Sequence, residues 1–171
     1  MCKFKKILLS PSENNITTLR YLPDIERCFR KYFKCFQDDF SLKTFSLFNA
    51  AYKAPFWVIL DYYDRFMGFV FLDNFIGNDK KLYSAEITTC FDKKAWGSFT
   101  RYSAKIFLKK AFDEFGLYKI KAQIYPDNFR VRNYLKDCGF QYETTLKNET
   151  LRLGKPQDIE VYGLYRSYYY K

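Results

Sequence analysis

The hydrophobic positions of the chain alternate between a period of two and a period of three to four residues, which predicts strands interspersed with helices. Residues 3–9 predict a strand. From Asp24 onwards, apolar residues recur every three or four positions up to Phe36, a pattern that is typical of an amphipathic helix. Asp24 follows Pro23 and is predicted to cap this helix. A second, short helix is predicted at about residues 41–51.

The middle of the chain predicts a hairpin, a third strand and a long helix. Residues 56–62 and 66–71 are apolar runs joined by a polar turn, and residues 82–91 form the next strand. The long helix then ends at Gly116, whose type is favoured after the last helical turn. Its apolar face consists of Ala104, Phe107, Leu108, Ala111, Phe112 and Phe115.

The last third predicts, in order, a strand, a helix stopped by Gly139, and two strands separated by a polar loop. These elements are residues 119–125, 128–138, 141–146 and 159–166, with the loop around 154–156. Strands therefore alternate with helices in one part of the chain and form hairpins in another. We predict an α/β chain of the mixed α+β kind, a single domain over residues 1–171 with a twisted mixed central sheet and helices on both faces.

Composition removes several classes of function. The 171 residues contain no histidine, which excludes Ser-His-Asp and Cys-His catalysis, a histidine base and histidine zinc sites. The five cysteines form no CxxC pair, so we expect reduced thiols in a cytoplasmic protein and no metal site. Cys28 and Cys35 are seven residues apart and are predicted to share a buried helix face. The longest apolar runs, 54–60 and 66–72, are far shorter than the roughly 20 residues of a membrane span.

The net charge is +10, from 29 Lys and Arg against 19 Asp and Glu. Basic residues interleaved with aromatic ones are compatible with nucleic-acid binding, although no RNP, KH or zinc motif accompanies them. On the long helix, Arg101, Lys105 and Lys109 form a stripe at a spacing of four. This stripe is either a phosphate-binding surface or an ordinary solvated helix face.

Five ordered motifs resemble the GNAT superfamily of N-acetyltransferases, and most closely its branch that acetylates the N-termini of ribosomal proteins. The resemblance is strongest over residues 85–166. Its motifs are Ala85-Glu86-Ile87 with Phe91-Asp92-Lys93-Lys94-Ala95-Trp96-Gly97, Ala111-Phe112 with Gly116-Leu117-Tyr118-Lys119-Ile120, Asn128, Gly139-Phe140, and Gly154 with Asp158 and Val161-Tyr162-Gly163-Leu164.

The resemblance implies acetyl transfer from acetyl-CoA to an amine. It places Glu86 as the general base and Tyr134 as a weak candidate for the acid, and Asn128 as a cofactor contact. For Glu86 and Asn128 the residue types also allow a solvated strand position and a helix cap, respectively. The full set of implied cofactor-binding residues is Cys90, Phe91, Trp96, Gly97, Ser98, Phe99, Arg101 and Asn128.

The chain also departs from the family pattern. The two small residues of the pyrophosphate loop align with Phe99 and Arg101, so we expect the Phe99 ring to obstruct the phosphates and Arg101 to compensate, with Lys93 or Lys94 secondary. The family's tyrosine acid aligns with Leu135. Tyr134 is one residue away, about 100° around a helix, and is expected to point elsewhere.

Three functions are therefore compatible with the sequence. The first is an active N-acetyltransferase whose acceptor is a protein N-terminus, a lysine or a small-molecule amine. The second is a catalytically degenerate GNAT-fold docking component, for example of a phage particle, that binds a protein partner through its termini. The tyrosines at 168–170 would then form a docking segment, a last strand or an ordinary end. The third is a basic nucleic-acid-binding protein.

Overall fold

A seven-stranded mixed sheet forms the centre of the molecule. The computed structural model describes residues 1–7, 16–35, 37–41 and 54–170, with the side chains of 16–19 left out. The strands follow the spatial order β1-β2-β3-β4-β5-β7-β6, and every neighbouring pair is antiparallel except β4 and β5, which are parallel. The strands are β1 (Lys3–Ile7), β2 (Phe56–Leu60), β3 (Phe66–Asn78), β4 (Lys81–Phe91), β5 (Lys119–Ile124), β6 (Gln141–Arg152) and β7 (Lys155–Tyr165).

Helices cover both faces of this sheet, as the sequence predicts. The described helices are α1 (Ile16–Tyr32), α2 (Ser98–Phe115), α3 (Phe129–Asp137) and α4 (Arg166–Tyr169), with short 3-10 turns at Phe33–Cys35 and Lys93–Ala95. Alternate residues of β2 belong to two separate cores: Phe56 and Val58 pack with α1, whereas Trp57 and Ile59 pack with α2. Because successive side chains of a strand point to opposite faces, β2 is buried on both sides.

Helix α2 confirms the clearest pattern in the sequence. Its residues Phe107, Leu108, Ala111 and Phe112 are all buried against the sheet. Gly116 ends the helix with φ 62, and its N–H donates to the Phe112 carbonyl. A left-handed residue at this position is favourable for glycine, which has no Cβ to clash.

The start of α1 corrects one prediction. The helix begins at Ile16, so Asp24 lies within it and does not cap it, and Pro23 occupies its interior. A proline there removes one backbone hydrogen bond, but Pro23 is on the exposed face. The opposite face is buried at Tyr21 and Ile25. Packing of that apolar stripe against the sheet outweighs the lost bond.

The prediction that Cys28 and Cys35 share a buried face is correct only for Cys28. Cys28 is buried, whereas Cys35 is exposed. The helix ends at Tyr32, and the tighter turn Phe33–Cys35 that follows has three residues per turn instead of 3.6. The seven-residue spacing therefore no longer places the two thiols on one face.

The hairpins are longer than predicted. Strand β3 continues to Asn78 and β6 to Arg152, and β7 already begins at Lys155. The expected polar loop is thus a two-residue turn at Leu153 and Gly154, which both have positive φ, 56 and 71. Such primed turns match the twist of a hairpin. Apart from Ser41, the helix predicted at 41–51 lies outside the described residues, as do residues 8 and 9 of the first predicted strand.

The C-terminal tyrosines form no last strand. Tyr169 and Tyr170 lie in and just after α4, and their rings contact Phe112 at centroid distances of 5.5 and 6.4 Å. Within the described part of the chain, no helix is both long enough and apolar enough to cross a membrane.

Candidate functional site

A cavity of about 480 Å³ opens where β4 and β5 separate. The two parallel strands are paired only through Ser84–Glu86 and Lys119–Lys121. Beyond these pairs, β4 continues to Phe91 and β5 to Ile124, and residues of both unpaired segments line the cavity. The edge of β4 that faces β5 is therefore free of strand pairing along residues 87–91.

Alternation along β4 gives this cavity two sides. Cys90 packs in the core with α1, whereas Ile87 and Phe91 pack against the core with α2. Because side chains alternate along a strand, Glu86 and Thr88 share the α1 side with Cys90. The α2 side is enclosed by helices α2 and α3 and by the residue that follows α3; the lining residues are Ser103, Ala104, Phe107, Leu108, Val131, Tyr134, Leu135 and Cys138.

Helix α2 begins beside the end of β4 without a side-chain cap. Gly97 occupies the cap position with φ 107 and ψ −133, and no side-chain hydrogen bond caps the helix. A Cβ added at Gly97 would meet nothing within 4 Å, so the backbone conformation, and not crowding, requires glycine here. The first N–H groups of a helix have no partner within the helix. With the helix dipole, they make this end suitable for an anion.

The loop between β4 and α2 is held by polar contacts. The Asp92 carboxylate accepts a hydrogen bond from the Lys94 N–H at 3.4 Å, and the Trp96 indole donates to the Phe91 carbonyl at 3.3 Å. The Arg130 guanidinium at the start of α3 lies 3.8 Å from the centroid of the Trp96 ring. This cation–π contact places a positive charge at the cavity wall.

The structure brings most, but not all, of the predicted site residues to this cavity. Glu86, Cys90, Phe91, Trp96, Asn128 and Tyr134 line it, whereas Gly97, Ser98, Phe99 and Arg101 do not. Asn128 caps α3, and its side-chain oxygen accepts a hydrogen bond from the Val131 N–H at 3.4 Å. The cap is thus observed, and a cofactor contact by the same residue stays a prediction.

The Phe99 ring is half-buried and packs against the core that contains α2. Obstruction of the phosphates by this ring stays a prediction. Arg101 is exposed, and its Nε lies 3.0 Å from the Asp137 carboxylate.

The Glu86 carboxylate is oriented by two amides. Its Oε2 accepts hydrogen bonds from Asn74 Nδ2 at 3.2 Å and from Gln123 Nε2 at 3.1 Å. The amides come from the two strands that flank β4. They hold one oxygen of the carboxylate and leave the other for a further partner.

Tyr134 faces the cavity, contrary to the expectation from its one-residue offset. Its ring contacts Phe91 at 6.3 Å, and both Tyr134 and Leu135 line the cavity because the space wraps around that side of α3. Burial, with a smaller contribution from Cys138, raises the pKa of Tyr134 well above its usual range. The hydroxyl therefore stays protonated and can donate.

A short strap, residues 37–41, crosses the α1 side of the cavity and was not predicted from the sequence. The Asp38 carboxylate accepts hydrogen bonds from Ser41 Oγ and Thr150 Oγ1, both at 2.7 Å. The Asp39 carboxylate accepts hydrogen bonds from the backbone N–H groups of Leu153 and Gly154 at 2.9 and 2.7 Å. The contacts with Thr150, Leu153 and Gly154 span more than 110 residues of sequence, and no local sequence pattern predicts them.

The strap adds negative charge to the cavity. Although burial alone would raise it, the hydrogen bonds from Thr150 and Ser41 hold the pKa of Asp38 below its usual value. The charged side chains among the described lining residues are Asp38, Glu86 and Arg130. Two carboxylates therefore lie in a cavity of a protein whose net charge is +10.

Comparison with known proteins points to one family. The family model of the acetyltransferase (GNAT) domain matches residues 15–141. Comparison with curated protein sequences finds no match.

Solved structures share this fold, over the whole chain or over part of it. A spermidine N-acetyltransferase from Vibrio cholerae, in complex with CoA and spermine, has a TM-score of 0.78 at 20% identity and covers 99% of this chain and 98% of its own. A ribosomal-protein-S5-alanine acetyltransferase from Vibrio fischeri has a TM-score of 0.58 at 18% identity and covers 69% of this chain and 64% of its own. These findings do not confirm the predicted ribosomal-protein branch and lend no support to the docking or nucleic-acid alternatives.

Because the family model matches residues 15–141, most of the sequence, this chain belongs to the GNAT acetyltransferase family.

Proposed function

We propose that the protein transfers the acetyl group of acetyl-CoA to a primary amine of a small, cationic acceptor. One observation carries this proposal. The cavity between β4 and β5 has an uncapped helix end near one side and the amide-held carboxylate of Glu86 on the other. The two sides suit the two substrates, an anionic cofactor and a cationic amine.

The residues on the α2 side fit acetyl-CoA. The N–H groups at the start of α2 are suited to its pyrophosphate, and Arg130, Arg101, Lys93 and Lys94 supply positive charge around them. The free edge of β4 at residues 87–91 offers backbone groups to the amides of the pantetheine arm. When bound, acetyl-CoA supplies an acetyl group activated as a thioester.

Two residues of this chain would handle protons in the transfer. Glu86 accepts a proton from the attacking nitrogen, because its second oxygen is not held by Asn74 or Gln123. Tyr134 donates a hydrogen bond to the departing sulfur, since burial keeps its hydroxyl protonated, and the thiolate then takes its proton from solvent. A thiol ionises near pKa ~8.5, so its thiolate is a good leaving group and the contribution of Tyr134 is the smaller of the two.

Two features favour a small-molecule amine over a protein N-terminus as acceptor. The strap 37–41 lies along the cavity wall and is fixed to the β6–β7 turn. It reduces the space through which the N-terminus of a folded protein could enter the cavity. Asp38 and Glu86 both bring negative charge to the wall, which favours an acceptor with more than one ammonium group. The structural likeness to enzymes named for spermidine and spermine agrees with this choice.

The proposal is tested by release of free CoA thiol with a panel of acceptors. We expect turnover with spermidine or another polyamine, slower turnover with a monoamine of equal length, and little with an N-terminal alanine peptide. Turnover with the peptide alone would contradict the small-molecule acceptor. Failure of acetyl-CoA to bind in isothermal titration would contradict the enzyme and favour the docking role.

Arg101→Ala is expected to weaken acetyl-CoA binding roughly tenfold, because a charge-assisted contact to phosphate is lost at an exposed position. Isothermal titration measures the change. Lys109→Ala is the matched control, since Lys109 lies on the same helix stripe two turns farther from the helix start. An equal loss in both variants would show a general charge effect and not a contact by Arg101.

Tyr134→Phe is expected to lower kcat by about tenfold, less than the 10²–10⁴-fold typical of general acid–base catalysis, because the thiolate leaves readily. Initial rates at saturating concentrations of both substrates test this. An unchanged kcat would show that Tyr134 does not stabilise the departing thiolate.

A further inference from the structure

Two carboxylates face each other across the β3–β4 ladder. Asp73 and Glu86 are register partners in this antiparallel pair, so their side chains are on the same face of the sheet, with Cβ atoms about 4.5–5.5 Å apart. Like charges directly opposite one another destabilise a sheet. Repulsion between the two carboxylates is therefore reduced when one of them is protonated or when a cation binds beside them.

The two carboxylates differ in how they are satisfied. Glu86 lines the cavity and accepts two hydrogen bonds from amides. Asp73 stands behind it, half-buried, and its Oδ1 is fully buried without a hydrogen-bond partner among the described residues. An unpaired buried carboxylate oxygen is costly when the group is charged.

The surroundings of Asp73 favour its neutral form below about pH 6. Burial is the main cause, and the negative charge of Glu86 on β4 is the second; together they raise the pKa of Asp73 to about 6. On the far side of Glu86, Lys121 of β5 is its register partner. On β3, the neighbouring Asn74 is neutral and its amide is bonded to Glu86.

We propose that Asp73 is a positioning residue that acts through Glu86 and that, in mildly acidic solution, it loses its proton to solvent when an acceptor ammonium binds beside Glu86. Below about pH 6, Asp73 is therefore charged mainly when the cation is present, whereas at about pH 7.5 it is ionised without the cation and ready to bind it. The unpartnered oxygen of Asp73 and the cross-strand register support this role. The inference rests on the proposed function, namely the binding of a cationic amine at Glu86.

The carboxyl carbon of Asp73 can be followed by ¹³C NMR in the full chain as the pH is varied, with spermidine as the probe. We expect Asp73 to titrate near pH 6 in the free wild-type protein. Its pKa should be lower in Glu86→Gln, because one negative charge is gone. Its pKa should also be lower in wild type with excess spermidine than in wild type without it. Sodium chloride at equal ionic strength is the control for screening. The Asp79→Asn variant, at the exposed turn between β3 and β4, is the matched control and should leave the titration of Asp73 unchanged.

Kinetics supply a second readout. Lowering the pH from about 7.5 to about 5.5 should raise the KM for spermidine about fourfold in wild type, which is the ratio of ionised Asp73 at the two pH values. In Asp73→Asn this rise should be absent. A purely structural role for Asp73 would change KM without removing its pH dependence.

Two results would overturn the inference. One is titration of Asp73 near the ordinary value of about 3.9, or at the same pH with and without Glu86. The other is a titration that excess spermidine does not move. If acetyl transfer to amines is nevertheless observed, only the role of Asp73 fails; if no amine is acetylated, the proposed function fails with it.

Discussion

Replacing Glu86 with glutamine is expected to lower kcat/KM for the amine by roughly 100-fold or more, the range that follows loss of a general base. Glutamine has nearly the same shape and retains an oxygen that can accept from Asn74 or Gln123. It cannot take a proton from the attacking nitrogen. The loss should therefore appear in turnover, measured by thiol release, while acetyl-CoA binding measured by isothermal titration stays unchanged.

Glu149→Gln is the matched control for this variant. Glu149 is an exposed residue of β6 and is not among the residues that line the cavity, so the same chemical change there should leave the rate within a factor of two or so. A Glu86→Gln enzyme with the rate of wild type would show that another group, or water alone, accepts the proton.

Structural features that depend on residues close together in the chain could be predicted from the sequence. The face of α2 and its end at Gly116 follow from a spacing of three and four and from one glycine. The segment from Glu86 to Trp96 is continuous in the chain, and so the resemblance to the family identified several residues that do line the cavity. Each of these predictions depends on contacts within one element or between adjacent ones.

Structural features that depend on contacts between residues far apart in the chain could not be predicted from the sequence. The strap 37–41 is placed by Asp38 and Asp39, whose partners on β6 and in the β6–β7 turn are more than 110 residues away. The position of Phe99 illustrates the same limit at closer range. Alignment placed it in the cofactor loop, but only the packing of α2 on the sheet determines that its ring joins the core.

The overall charge was also a poor guide to the site. The net charge of +10 describes the whole surface, and many of its cations are engaged in ion pairs, such as Lys119 with Glu143 and Arg132 with Glu160, both at 2.6 Å. The α1 side of the cavity carries the carboxylates of Asp38 and Glu86 instead. The local charge at the reacting group, and not the sum over the chain, determines which substrate is attracted.

Phe112→Ala is expected to lower the free energy of unfolding by about 3–5 kcal/mol, the range for removing a large aromatic side chain from a packed core. Phe112 is fully buried, and its ring contacts Tyr169 and Tyr170. The variant would leave a cavity between α2 and the C-terminal helix α4. Equilibrium unfolding in urea measures the change, and the slope of the transition should stay constant because the same surface is exposed.

Phe129→Ala is the control for aromatic content. Phe129 is 63% exposed at the start of α3, and its truncation should change the free energy of unfolding by no more than about 0.5 kcal/mol. The backbone carbonyl of Phe112, which accepts from Gly116 and Arg166, is retained in Phe112→Ala, so the difference between the two variants reports the buried ring. A small loss in Phe112→Ala, equal to that of Phe129→Ala, would mean that α2 does not pack on the sheet through this face.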